Sequence, residues 1–282
     1  MKRVGLGIAV LLTAQVAFAT AIRYEFRQST TSDVENTPST DCSGRGVIDG
    51  TRSRVEFLTG NAYAPGTYVI TTNGSRNMIF VDPHKKAYVD VNAAGVSAAL
   101  GTTTITISNK KVDMTEMPDH PTIAGIPTDH YRLSISYDIT LLMGTLPMTQ
   151  SVRTLIDKWV TTAFGDVGGD YLAAGAMKTG NADLDELVNL ENTKIKGFAL
   201  KQTSQITTTA NRHSIAGSDL GRVFRPMRTQ TREIEVTSVQ AVGRALATEF
   251  MVPAGFHRAD PLHDDTEKAP LNVLSMEPPP GE

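Results

Sequence analysis

The chain has 282 residues, 40% of them hydrophobic, a formal charge of −3 at pH 7 and one cysteine. That length fits one large domain or two small ones. The mild acidity argues against the basic stripe of a nucleic-acid binder and offers no polybasic patch for anionic lipid surfaces. A lone Cys42 excludes an intramolecular disulfide, and as a free thiol it is expected to be buried.

The N-terminus speaks of location. Lys2 and Arg3 precede an apolar run over 4–16, and Ala17-Phe18-Ala19 places small residues where a signal peptidase needs them. The run is shorter than the ~20 residues of a membrane-spanning helix. A secretory signal peptide over 1–19 is therefore predicted, with cleavage after Ala19 and a periplasmic or secreted mature chain. Loss of Lys2 and Arg3 takes the formal charge to −5. No later segment reaches the length of a transmembrane anchor. Cys42 lies too far from the cleavage site to be a lipidated cysteine.

From Ala21 onward the pattern has period two. Ile22, Tyr24 and Phe26 alternate with Arg23, Glu25 and Arg27. The clearest run is 131–139, where Tyr131, Leu133, Ile135, Tyr137 and Ile139 alternate with Arg132, Ser134, Ser136 and Asp138. Such alternation predicts a strand with one dry and one wet face. Turn chemistry divides 42–90 into a meander. Asp49-Gly50 separates strands over 46–49 and 52–57, and Asn73-Gly74 separates strands over 68–72 and 77–82. Asp82-Pro83-His84-Lys85 predicts a third turn before a strand over 86–90. Met78-Ile79-Phe80-Val81 is apolar on both sides, which predicts a central strand covered on each face.

Helices are expected over 93–100 and 171–178, and after Asn181, where Leu184, Leu187 and Val188 share one face. Strands resume over 198–209 and 233–239. The segment 259–282, with five prolines from Pro261 on, is predicted to be disordered. About ten strands with few helices imply a mainly β fold built on one curved antiparallel sheet, with short helices over its concave face.

Gly95-Val96-Ser97-Ala98-Ala99 lacks the final glycine of a nucleophile elbow. There is no H-E-x-x-H, P-loop or G-x-G-x-x-G. His257 and His263 with Asp260, Asp264 and Asp265 belong to a polar terminal stretch that does not hold ligand geometry. No catalytic residue, metal site or cofactor is predicted.

One resemblance is carried by short motifs: Ile22-Arg23-Tyr24-Glu25-Phe26, Val47-Ile48-Asp49-Gly50-Thr51-Arg52-Ser53-Arg54-Val55-Glu56-Phe57, Val81-Asp82-Pro83-His84-Lys85-Lys86-Ala87-Tyr88, Ala124-Gly125-Ile126-Pro127-Thr128-Asp129-His130-Tyr131, Ile156-Asp157-Lys158-Trp159-Val160 and Phe250-Met251-Val252-Pro253-Ala254-Gly255-Phe256. Together they resemble secreted bacterial proteins with a DUF4412-type domain. These are similar in layout to the LolA/LolB/LppX half-barrel superfamily of periplasmic lipid and lipoprotein carriers. The resemblance spans about 20–258 and implies a single half-barrel domain there, around an apolar cavity, in a non-enzymatic protein. A hydrophobic small molecule or lipid, or the acyl chains of a lipoprotein, is the implied ligand. The candidate lining residues are Tyr24, Phe26, Phe57, Phe80, Tyr131, Leu133, Ile135, Tyr137 and Trp159. Periodicity leaves open whether they line a cavity or fill a packed core. In the second case the chain would be a structural or protein-interaction module of the cell envelope.

Overall fold

The computed structural model describes residues 21–34, 37–72, 77–91, 104–143, 146–165, 182–183, 185–186, 195–210 and 227–259. The expected signal peptide, the turn at Asn73-Gly74, the helices over 93–100 and 171–178, and nearly all of the terminal tail lie outside those residues.

The first run of strands is β1 (Ala21–Ser32), β2 (Thr40–Asp49), β3 (Arg52–Gly60), β4 (Tyr68–Thr72), β5 (Asn77–Asp82) and β6 (Ala87–Val91), each antiparallel to the next. Next come β7 (Thr104–Glu116) and a small hairpin of β8 (Thr122–Ile123) and β9 (Ile126–Pro127). β10 (Asp129–Met143), β11 (Leu146–Thr161), β12 (Phe198–Ala210) and β13 (Met227–Val242) complete a second antiparallel run, in which β7 pairs with β10. β1 pairs with β13 along its whole length and welds the two runs together. β14 (His257–Arg258) adds two parallel pairs to β6. The result is a twelve-stranded sheet in the order β14-β6-β5-β4-β3-β2-β1-β13-β12-β11-β10-β7, curved and unclosed.

Alternation and register assign the faces. On β1, Ile22, Tyr24 and Phe26 are buried on one side, here called the dry face. Their cross-strand partners carry that face onto β2 at Ile48, Gly46 and Gly44, and onto β13 at Ala241, Val239 and Val236. The same register carries it to Phe57 on β3, Phe80 on β5, and Leu133 and Ile135 on β10. Among the described residues, its cover is made largely of connections rather than helices. Ala62 and Tyr63, Ile123 and Ile126 of the β8–β9 hairpin, and Phe164 pack on the cluster around Tyr24 and Phe57. Ile195 packs on the cluster around Leu133 and Ile156. Residues 182–183 and 185–186 are helical, while the expected cap Asn181 and the expected face residues Leu184, Leu187 and Val188 lie outside the described residues; Lys110 of β7 forms ion pairs with Asp183 and Glu186.

The opposite face has a smaller core of its own. Val47, Tyr68, Ile70 and Val81 are covered there by the chain after β13, through Ala245 and Phe250. A 3₁₀ helix (Ala247–Phe250) seats Phe250 under the Arg52 guanidinium, 4.6 Å from the ring centroid. Glu249 accepts two hydrogen bonds from Arg23, at 2.8 and 2.9 Å, and one from the Leu246 backbone N–H at 3.0 Å. β5 is therefore apolar on both sides because both sides are covered, although it lies third from the sheet's end rather than at its centre.

Turn chemistry behaves with one adjustment. Asp49 pairs with Arg52, so the hairpin loop is Gly50-Thr51 with Gly50 at φ +62°. Glycine in the first loop position is the pattern of a II′ turn. Asp49 flanks the loop and accepts a hydrogen bond from Arg52 at 3.0 Å.

Candidate ligand face

Eight of the nine candidate lining residues lie on the dry face. Tyr24, Phe26 and Phe57 belong to one buried cluster, with Phe80 packed against it. Leu133 and Ile135 belong to a second, with Tyr131 and Tyr137 packed against it. The first four lie on β1, β3 and β5 and the second four on β10, and the β1–β13 pairing brings the two runs of strands onto one surface.

Trp159 is the exception. Lys158 is paired with Gln202 on the dry face, so its neighbour Trp159 projects from the other side of β11. There it stacks on His130, with centroids 4.3 Å apart, and Lys201 sits 5.8 Å above its ring. The Ile156-Asp157-Lys158-Trp159-Val160 run does not show this by composition. Its aromatic is on the wet face and its lysine on the dry one.

Glycine shapes the dry face at β2. Tyr24 and Phe26 face Gly46 and Gly44 across β1–β2, and their rings lie over those glycines. A Cβ on Gly44 would fall 2.6 Å from two ring carbons of Phe26, and one on Gly46 would overlap the Tyr24 ring. The aromatic rings supply the packing that the glycines lack. Tyr24 then meets Phe198 at 5.4 Å, and Phe57 stacks on Tyr63 at 3.9 Å. Cys42 lies buried in the same cluster. Burial pushes its thiol up to about 11, against a smaller downward pull from Arg232 and a further push from Asp41. A thiol so placed is inert rather than nucleophilic.

Polar groups interrupt the apolar surface along one band. Lys158 (5% exposed) on β11 pairs with Gln202 (6%) on β12. Two residues on, Ser204 (9%) pairs with Arg232 of β13. Gln202 Nε2 donates to Ser204 Oγ at 3.1 Å, and Arg232 donates to Gln28 Oε1 at 2.8 Å. No sequence pattern announced this band, because Lys158 and Arg232 read as ordinary wet-face charges.

On the opposite face, buried His130 is bracketed by two carboxylates. Its Nδ1 lies 2.7 Å from Asp119 and its Nε2 3.0 Å from Asp157. Arg132 grips Asp157 with two hydrogen bonds, at 2.8 and 3.1 Å. Burial raises the Asp157 carboxyl, but the Arg132 and His130 hydrogen bonds outweigh it and hold the group below its usual range. The His130 hydrogen bond does the same for Asp119, with a smaller contribution from Trp159. Both hydrogen-bonding partners of the ring are carboxylates, so no hydroxyl or thiol nucleophile is coupled to it. The cluster ties the segment before β8 to the sheet.

A groove of about 440 Å³ also opens on the opposite face, over Gly46 and Val47. Its arginines are matched by glutamates at its own walls: Arg23 with Glu249, and Arg45 and Arg54 with Glu56. Among the described residues no group of His, Cys, Asp and Glu side chains is arranged to hold a metal ion, and no helix is long and apolar enough to cross a membrane.

No family model matches the sequence, and no curated protein matches it. Among solved structures, the chain is similar to a LolA superfamily protein from Nitrosomonas europaea, with a TM-score of 0.30 and 8% identity over 82% of this chain and 89% of that one. It is similar also to a DUF1329 family protein from Desulfovibrio piger, with a TM-score of 0.33 and 8% identity over 84% of this chain and 92% of that one. The open antiparallel sheet is defined by this chain's own strand order and register.

Proposed function

We propose that this chain is an exported, non-enzymatic half-barrel carrier that holds a hydrophobic ligand, a lipid or the acyl chains of a lipoprotein, against the dry face of its sheet. The observation that carries this reading is the convergence of Tyr24, Phe26, Phe57, Phe80, Tyr131, Leu133, Ile135 and Tyr137 on one face of an open sheet. An acyl chain laid on such a surface gains about 0.8 kcal/mol per buried CH₂. A single long chain therefore supplies enough free energy for retention. The resemblance of the N-terminal and turn motifs to secreted carriers supports the same reading, as does the predicted signal peptide.

The competing reading is an envelope interaction module with a filled interior. It is favoured by the complete burial of Leu133 and Leu200, both 0% exposed. Native mass spectrometry of protein purified without detergent separates the two. A carrier shows the polypeptide plus a lipid mass that collisional activation releases, whereas a filled module shows the bare polypeptide.

A further inference from the structure

The β8–β9 hairpin is flanked by the same dipeptide on each side, Asp119-His120 before it and Asp129-His130 after it. The four side chains pair crosswise. His130 Nδ1 lies 2.7 Å from Asp119, and His120 Nδ1 lies 3.2 Å from Asp129. These pairs continue the hairpin's own register outward from Ile123–Ile126 and Thr122–Pro127. Between them, the Pro121 carbonyl accepts from both the N–H and the hydroxyl of Thr128. Successive cross-strand pairs face opposite sides. One imidazole, His130, is therefore buried against the sheet with its side chain 7% exposed, and the other, His120, is in solvent. An exposed pair contributes little, so the buried one sets how firmly the hairpin is held.

His130 meets a carboxylate at each ring nitrogen, Asp119 at Nδ1 and Asp157 at Nε2. An ionised carboxylate only accepts, so both contacts are hydrogen bonds only when the ring carries two protons. A neutral ring keeps one proton, and one carboxylate then faces a bare lone pair. Asp157 sits on β11 and is gripped twice by Arg132, so it cannot turn away. Asp119 sits on a connection with its side chain more than half exposed, and it is the partner that can leave. On the far side of the stacked Trp159 ring lies Lys201 of β12, which is occupied by Glu233 at 2.6 Å and Glu235 at 3.2 Å, both on β13. Asp119, Asp157 and Arg132 therefore dominate the charge at the imidazole.

We propose that Asp119 and His130 form a pH-operated clamp on the β8–β9 hairpin, closed when the imidazole is protonated and released when it is neutral. Past the clamp, Ile123 and Ile126 pack on the cluster around Tyr24 and Phe57, so the hairpin is part of the cover of the dry face. The Met117 N–H donates to the His130 carbonyl at 2.8 Å, a backbone contact that does not titrate and serves as the hinge. Imidazole is the side chain that changes charge between pH 5 and 8, so release comes with rising pH across that range. The clamp's role in ligand exchange rests on the carrier reading above. A carrier so clamped retains its ligand in mild acid and exchanges it faster once the imidazole is neutral.

The test is amide hydrogen exchange of the full chain at pH 6 and pH 8, with labelling times scaled so that intrinsic exchange is equal. Protection of the amides over 122–128 should fall about tenfold between the two, as one charge-assisted hydrogen bond is lost. The amides of the β10–β11 pairing should keep theirs. Trp159 is the single tryptophan of the chain, and a protonated imidazole stacked on an indole quenches its emission. Its fluorescence should therefore rise over the same range. Asp119→Asn, a change at an exposed side chain, should abolish the pH dependence of hairpin protection. Equal hairpin protection at pH 6 and pH 8 in the wild type would overturn the clamp, whatever the variant does. Entry of the neutral fluorescent probe N-phenyl-1-naphthylamine should be faster at pH 8 than at pH 6 in the wild type, and equal at the two in Asp119→Asn. A hairpin that loosens while the probe enters at one unchanged rate would overturn the clamp's role in exchange. A hairpin that loosens while no probe binds at either pH would leave the clamp standing and overturn the carrier reading.

Discussion

The ring of Tyr24 lies over Gly46 on the neighbouring strand, in the place a Cβ would occupy. This contact sets how closely β1 and β2 pack on the dry face, and it explains a glycine in the interior of a strand, where glycine alone is unfavourable. Gly46→Ala is expected to destabilise the protein by about 1–3 kcal/mol through overpacking. Tyr24→Ala alone should cost a comparable amount or more. The double variant should be less destabilised than the sum of the two, because the new methyl enters space the ring has left. Urea melts of the three variants check this, and strict additivity would contradict it.

The β8–β9 hairpin contains a visible flaw. Its two-residue loop places Ala124 at φ +49° and Gly125 at φ +78°. Left-handed backbone costs an ordinary L-residue about 1–2 kcal/mol, and Asn tolerates it better than Ala. Ala124→Asn should therefore stabilise the protein by roughly 0.5–1 kcal/mol. The readout is a rise in the thermal midpoint, and a fall would show that the loop is not left-handed. The hairpin matters because Ile123 and Ile126 pack on the Tyr24 cluster.

Cys42 offers a chemical probe of the interior. Burial holds its thiol near 11, so at pH 8 almost none is thiolate and the group is enclosed as well. An aromatic disulfide reagent should leave it unmodified in the native protein and modify it fully in urea. Rapid native labelling would place Cys42 at the surface.

Acid should act through the cluster around His130. Asp157 and Asp119 both have carboxyls held below their usual range in the folded chain. The folded state therefore binds protons less readily than the unfolded one. The stability they contribute is fully present above the ordinary carboxylate value, ~4, and is lost as pH falls through their lower folded values. Asp157→Asn should flatten this acid limb in denaturant melts followed from pH 6 downward. An unchanged limb would assign acid sensitivity to other groups, such as Glu235 beside Lys201 or Glu249 beside Arg23, whose carboxyls are lowered in the same way despite partial burial.

Much of the sheet was legible because one face of each strand is dry. The alternation from Tyr131 to Ile139 lies inside β10, and the strands on either side of 73–76 pair antiparallel, Thr72 with Asn77. Other parts were hidden for physical reasons. The first half of β2, from Thr40 to Arg45, presents glycine and polar residues because Phe26 fills the dry side above Gly44. β7 is an edge strand kinked by Asn109 at φ +55°, which breaks its period. β11 reads ambiguously because Lys158 is turned to the dry face and Trp159 away from it. The same inversion explains why Trp159 stands apart from the other lining candidates while the polar band went unread. The cover of the dry face depends on contacts distant in sequence, such as Phe164 against Phe198 at 6.1 Å, which no local pattern encodes.

What the dry face holds when the protein is isolated decides whether it acts as a carrier. Native mass spectrometry of the protein, isolated from cells without detergent, is the direct measurement. The prediction is a second charge-state series heavier by the mass of an acyl-chain amphiphile, lost on collisional activation and retained by Trp159→Phe, whose altered side chain is on the opposite face. A single series at the mass of the bare polypeptide, from protein with a cooperative thermal melt, would contradict it.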